Sequence, residues 1–335
     1  MNRERTGSVS RFIGKRLNKN IVGPTGVLYL PQDTVLNERH LALLLEAGIR
    51  ITDADVYESV PVTVIIREAA EEWKSIFEAA KNADRIIARN ITEHVVPLLL
   101  ELVSNYDLHT VLDGLYEIDD YTYRHSVAVA ALSTLIGKWL GFPSARLRVL
   151  TAAALLHDIG KTKIPSSILL KAGRLTPEEY EIVKKHTVFG YEMIRNADGL
   201  SELHAQVALQ HHERLDGSGY PNRLTEETFL ESRIVAVADV FHAMLSKRPY
   251  KEASPFFQVM KEMYSGAFGA FDPVVVTKFT QRAMEALIGN DVLLSNGQTG
   301  TIVRIDAHNP WKPLILLNRR FVNLANHPSL DIKDI

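Results

Sequence analysis

Along most of the chain the apolar positions recur every three or four residues, the period of one buried helix face, and only the two ends break that rhythm. The first part mixes strand-like and turn-rich pieces. Val22 to Leu30 reads as extended and is followed by the turn residues Pro31, Gln32 and Asp33. A short helix pattern runs from Asn37 to Ala47 and is stopped by Gly48. The alternation in Val60–Ile66 predicts one more strand.

From Glu68 to Arg89 the period turns helical, with Trp73, Ile76, Phe77, Ala80, Ala83 and Ile87 on one face and charged residues between them. Such a helix suits a signalling or dimerisation element joining an input module to an output domain. The commoner use of the same pattern is plain packing against a neighbour.

Between Thr92 and Leu287 nearly everything reads as helix. Thr176, Pro177 and Glu179 form an N-cap, first-turn proline and capping-box glutamate, and Ser254-Pro255 and Asp272-Pro273 repeat the cap-then-proline signal. After Gly289 strands return. Asn296-Gly297 between Val292–Leu294 and Thr301–Val303 predicts a hairpin, with further strands at Leu314–Leu317 and Phe321–Leu324. The expected fold class is therefore mainly α. It divides into a small, possible regulatory α+β module at 1–66, connecting helices at 67–114, a helical domain at 115–288 and a small β-rich module at 289–335.

Composition narrows this picture. With 335 residues, 46% of them apolar, the chain can build more than one core. A net charge of −2 means that an anionic ligand must be captured by a local site. No basic stripe carries interleaved aromatics, so a nucleic-acid partner is not expected. Cysteine is absent, which excludes disulfides and thiolate–metal sites. The basic run from Met1 to Leu17 lacks the apolar core of a signal peptide, and no stretch approaches the ~20 apolar residues of a membrane span. A cytoplasmic protein is expected.

Chemistry concentrates in the helical domain. His157-Asp158 closes the apolar run Val149–Leu156, setting an imidazole beside a carboxylate. Such a pair can offer one terminal and one bridging ligand to divalent metals, although a buried His–Asp hydrogen bond looks the same in sequence and is commoner. The other members change that balance. His211-His212 ends a helix around Val207, His186 follows the Thr176 cap, and His125 opens an apolar helix. Asp239 sits inside the apolar stretch Ile234–Met244, where a carboxylate needs a cation or hydrogen-bond donors. Five histidines and two aspartates on separate helices are hard to explain as independent core residues. His40, His94, His109, His204, His308 and His327 carry no partner pattern.

The motif His157-Asp158-Ile159-Gly160-Lys161, followed by His211-His212-Glu213-Arg214-Leu215-Asp216-Gly217-Ser218-Gly219-Tyr220-Pro221, resembles the signature of the HD-GYP domain family. Tyr121 to Ser126, Ala238 to Phe241, Arg248-Pro249-Tyr250 and Phe271-Asp272-Pro273 flank it in family order, over about half of the chain. The resemblance implies one metal held by His125, His157, Asp158 and Asp239, with Asp158 bridging to a second held by His186, His211 and His212. Some family members hold a third metal through a glutamate where this chain has Tyr121, so two divalent ions are expected. Nitrogen and oxygen ligands without thiolate suit iron or manganese.

The same resemblance implies a cyclic di-GMP phosphodiesterase that yields linear pGpG and then GMP through a hydroxide activated by two metals. Asp158 and Lys161 would be catalytic, with Lys161 aimed at the scissile phosphate. Gly219, Tyr220 and Arg248 would bind substrate; taken singly, Lys161 and Arg248 would read as solvated surface charges and the glycine-rich loop as a turn. His242 stands where the family usually has an aspartate, which opens three readings: a partner of a ligand, an extra ligand, or weakened activity. Competing functions are a catalytically weak cyclic di-GMP receptor and an HD-type hydrolase of another nucleotide. Homodimerisation through the Glu68–Arg89 helix is compatible with its amphipathicity.

Overall fold

The computed structural model describes residues 10–23, 26, 28–30, 32, 34–58, 60–83, 86–116, 121–171, 173–246, 254–266, 269–306 and 309–334. Helix α1 (Glu38–Glu46) lies in the N-terminal module, capped by the Asn37 side chain, which accepts from the His40 amide at 2.9 Å. Short antiparallel pairs accompany it: β1 (Arg16–Leu17) with β4 (Val56–Tyr57), and β2 (Ile21–Val22) with β3 (Leu28–Leu30). Phe12, Leu17, Leu36, Leu41 and Leu44 form a small core of their own.

Helix α2 (Val62–Ala83) corrects two expectations. Val62–Ile66 are its first turns and not a strand, because Ile65 and Ile66 continue the buried face of Ala69, Ala70, Trp73, Ile76, Phe77 and Ala80. The short run Val60–Ile66 is compatible with both periods, and the longer helical run decides. The helix ends at Ala83, and Ile87 is exposed. The apolar face of α2 is covered within the chain, by α3 (Val96–Asn105), α4 (Leu108–Tyr116) and α5 (Tyr121–Trp139).

Behind α2, α5 and α6 (Ser144–Leu156) form the centre of the domain. Val127–Leu132 and Leu150–Leu156 are buried on every side, as expected of helices apolar all round. A buried hydrogen bond between Thr134 and Thr151 (2.7 Å) fixes their register. Around them pack α7 (Pro177–Lys184), α8 (His186–Arg195), α9 (Glu202–Gln210), α10 (Leu230–Leu245), α11 (Phe256–Gly266) and α12 (Pro273–Glu285). The caps at Thr176 and Asp272 form as read: the Thr176 hydroxyl accepts from Glu179 N and the Asp272 carboxylate from Val274 N and Val275 N.

The C-terminal strands make one antiparallel sheet in the order β8-β7-β6-β5-β9. Its members are β5 (Asp291–Leu294), β6 (Thr299–Arg304), β7 (Leu314–Leu317), β8 (Arg320–Asn323) and β9 (Ile332–Asp334). The β5–β6 hairpin turns at Gly297, whose φ of 81° explains the glycine. Val292, Leu294, Ile302 and Ile315 pack on Phe257, Met284 and Leu287 from the helical domain. No helix among the described residues is long and apolar enough to cross a membrane.

Candidate metal centre

Five helices bring the seven expected ligands together, chiefly through their ends. His125 lies on the second turn of α5. His157 caps the C-terminus of α6 and Asp158 follows it into a 3-10 turn, Ile159–Lys163. Lys185 breaks the chain between α7 and α8, so His186 begins a separate helix. His211 caps the C-terminus of α9, and Asp239 sits in the middle of α10. All except the half-buried His212 are buried. Ligand atoms of Asp158, His186, His211 and His212 lie within 4.8 Å of one another, as do those of His125, His157 and Asp158. Asp158 belongs to both groups. Asp239 Oδ1 completes the set, 3.1 Å from His125 Nε2.

Gly160 makes this convergence sterically possible. A Cβ there would lie 2.0 Å from the His186 carbonyl oxygen and 2.4 Å from Gly190 N, so only glycine lets the Asp158 turn rest against the start of α8.

Backbone carbonyls set the tautomers. His157 Nδ1 is 2.7 Å from Ala154 O, His186 Nδ1 is 2.6 Å from Val183 O, and His211 Nδ1 is 2.9 Å from Ala208 O. A carbonyl only accepts, so each Nδ1 carries the proton and each Nε2 turns a lone pair to the centre. His186 Nε2 and His211 Nε2 then meet at 3.4 Å with two lone pairs and no proton between them. His157 Nε2 and Asp158 Oδ1 are buried without any hydrogen-bond partner. Buried polar atoms in this condition are costly. A divalent cation satisfies all of them at once, and the donor set fits one.

The protonation states suit the same purpose. Burial pushes His186 down to about 4, against the raising influence of Asp158. Burial also holds His125 below its ordinary value, and His211 and His212 well below it. Asp158 is raised by burial, but Lys161, His157 and His186 outweigh this and leave it well below the usual carboxylate range. Asp239 is likewise held well down: burial raises it, but its contact with His125 and the nearness of His212 and His157 together outweigh this. His157 alone is raised, because Asp158 and Asp239 outweigh its burial. The four histidines with lowered values and the two ionised carboxylates are thus in the forms that ligate metals, whereas His157 would give up its Nε2 proton to a bound cation.

Lys161 Nζ donates to Asp158 Oδ2 at 2.5 Å. The cleft of about 340 Å³ that opens onto His125, Asp158 and Lys161 is also lined by Phe77, Glu78, Lys81 and Tyr123 and by Ile164, Leu169 and Leu170. Glu78 and Lys81 carry no signal of this role in the sequence, where both look like the solvated face of an amphipathic helix. Tyr220 stacks on His212 with ring centroids 4.6 Å apart. The loop that carries it is tied at Glu213, whose buried carboxylate accepts from Asn222 N (2.7 Å) and Leu224 N (3.0 Å). A Cβ on Gly219 would lie 2.5 Å from Glu213 Cα, so this glycine is needed for close approach. Arg248 lies outside the described residues.

The model of the HD domain family matches residues 99–275, more than half of the chain, and the chain belongs to that family, in its HD-GYP form. Over 193 residues it is 42% identical to a cyclic di-GMP phosphodiesterase of Thermotoga maritima, covering 55% of this chain and 52% of that one. Over 157 residues it is 36% identical to a 3'3'-cGAMP-specific phosphodiesterase of Vibrio cholerae, covering 46% of this chain and 30% of the other. The chain thus spans about half or less of the length of these relatives. Its fold is similar to that of Bd1817, an HDG"Y"P protein from Bdellovibrio bacteriovorus, with a TM-score of 0.53 at 19% identity, covering 81% of this chain and 96% of that one.

Proposed function

We propose that the chain is a metal-dependent phosphodiesterase that hydrolyses cyclic di-GMP to linear pGpG and then GMP. The observation that carries this reading is the set of inward-facing lone pairs around Asp158, with His157 Nε2 and Asp158 Oδ1 buried and unpartnered. One ion would be held by His125, His157, Asp158 and Asp239, and a second by Asp158, His186, His211 and His212. Nitrogen and oxygen donors without sulfur favour iron or manganese. When bound, the ions would supply Lewis-acid charge and acidify the attacking water.

The chain's own residues have separable tasks. Lys161 lines the cleft beside Asp158 and would donate to a phosphoryl oxygen, where charge develops during hydrolysis. Gly219 and Tyr220 would form the lip of the substrate site, with Arg248 a further substrate contact. In this proposal residues 115–288 are catalytic, 67–114 connect, and the 1–66 and 289–335 modules flank them, the first as a regulatory unit. A cytoplasmic location and a homodimer belong to the same proposal.

A second reading, a different cyclic dinucleotide as substrate, is favoured by the similarity to the 3'3'-cGAMP-specific relative. Anaerobically purified protein should be incubated with cyclic di-GMP, 3'3'-cGAMP and cyclic di-AMP and the products separated over time. Fastest loss of cyclic di-GMP with pGpG appearing first supports the proposal. Faster loss of 3'3'-cGAMP supports the second reading, and tight binding of cyclic di-GMP without product supports a receptor.

A further inference from the structure

Helix α2 lies outside the part of the chain matched by the HD domain, yet it builds one wall of the cleft over Asp158. Glu78 and Lys81 are three residues apart on α2 and so lie on one helix face. Both line the cleft, together with the Phe77 and Tyr123 rings, which meet edge to face at 5.7 Å. The Tyr123 hydroxyl donates to Glu78 Oε1 at 2.6 Å and so orients that carboxylate. Leu169 and Leu170 line the same cleft, and Leu170 is 80% exposed, an apolar surface that a planar ligand would cover.

We infer that this wall is a guanine-reading subsite for one base of the cyclic dinucleotide, with Glu78 as its specificity-determining residue and Lys81 beside it. The inference rests on the phosphodiesterase reading and names the feature that would select its substrate. Guanine presents the O6 acceptor next to the N1–H and N2–H₂ donors on its pairing edge. A carboxylate only accepts and can take both donors at once, and a neighbouring ammonium only donates and suits O6. Adenine reverses the pattern, turning its N1 lone pair towards the carboxylate and its N6 amine towards the ammonium. Aromatic and leucine side chains supply flat apolar surface for the faces of the base, as in other single-stranded base recognition. A site built to pair with polar groups strongly rejects an analogue that leaves its own groups unpaired.

The test compares wild type, Glu78→Gln and Lys81→Met on cyclic di-GMP, 3'3'-cGAMP and cyclic di-AMP, with metal content measured on every sample. Glutamine keeps the shape of the side chain but replaces one acceptor oxygen by a donor and removes the charge. The preference of wild type for cyclic di-GMP over cyclic di-AMP, taken as a ratio of kcat/KM, should fall about tenfold or more in Glu78→Gln, the loss expected for a charged hydrogen bond. Lys81→Met should move the ratio in the same direction by less. An unchanged ratio in Glu78→Gln at wild-type metal content overturns the inference. If wild type turns over none of the three, the phosphodiesterase reading fails by itself, and the subsite is then judged by calorimetric binding. Cyclic di-GMP binding that weakens about tenfold in Glu78→Gln upholds the subsite, whereas absent or unaltered binding removes it.

Discussion

The Nδ1 atoms of His125 and His242 lie 2.9 Å apart in the buried interior, where α5 meets α10. One of them must donate and the other accept. For His125 to offer its Nε2 lone pair beside Asp239 and Asp158, its Nδ1 must carry the proton, so His242 Nδ1 accepts. His242 Nε2–H then faces the Ser246 hydroxyl at 3.2 Å. His242 therefore orients His125 from behind, the task a carboxylate or carbonyl usually performs for a metal-ligating histidine.

His242→Asp should keep an acceptor for His125 and retain bound metal. His242→Leu removes that acceptor and leaves a buried N–H unpaired, at about 1–3 kcal/mol. Metal affinity in the leucine variant should fall by about 10–100-fold, the usual effect of losing such a partner. Chelator competition followed by metal quantification checks this, and wild-type affinity in His242→Leu would show that the contact is incidental.

Gly160→Ala should damage the centre without touching a ligand. The new methyl would meet backbone atoms of His186 and Gly190, which cannot swing aside as a flexible side chain could. The Asp158 turn and the start of α8 must separate, at about 1–3 kcal/mol for overpacking of this kind. Denaturant melts should register the loss, and metal bound per chain should drop with it. An alanine variant with both unchanged would contradict the close approach.

Glu213 acts on the loop. Glu213→Leu would leave the amides of Asn222 and Leu224 without their acceptor and loosen the segment that stacks Tyr220 on His212. Steady-state kinetics should give a KM raised about tenfold, the scale of one or two lost charged hydrogen bonds. An unaltered KM in a variant that keeps its metal would place Tyr220 outside the substrate site.

His204 gives a pH dependence away from the centre. Burial lowers its pKa, and its Nδ1 accepts from the Ser201 amide at 3.0 Å. The unfolded chain therefore takes up a proton at His204 at a higher pH than the folded one. Stability from this group is complete above about 6.5, the ordinary histidine value, and declines as pH falls below it. Glutamine in its place preserves a capping box without titrating. Urea melts of His204→Gln should give a flatter slope of stability against pH below about 6.5 than wild type; parallel slopes would rule this out.

Much of the candidate centre is legible in the sequence because the residues it gathers come from short, strongly patterned pieces: a histidine and aspartate closing an apolar run, a histidine doublet, a carboxylate inside an apolar stretch. The caps at Thr176 and Asp272 and the Asn296-Gly297 hairpin are legible for the same reason, since each is a local rule satisfied by adjacent residues. Val60–Ile66 misleads because seven residues are too few to separate a period of 2 from one of 3.6 when valine and isoleucine fall on both faces. The break at Lys185 is invisible, since no glycine or proline marks it. β9 is too short and polar to announce itself, and pairs with β5 only through the fold. The cleft wall of Glu78 and Lys81 depends on which neighbours α2 meets, and its own residues do not carry that information.

The central claim is that Asp158 serves both metals and that the pair performs phosphodiester hydrolysis. Wild type and Asp158→Ala, purified anaerobically side by side, should be assayed for metal per chain and for pGpG formed from cyclic di-GMP in the same samples. About two metals per wild-type chain with turnover, and loss of both together in Asp158→Ala, is the expected result. A folded Asp158→Ala protein that keeps its metal and its turnover would contradict the account.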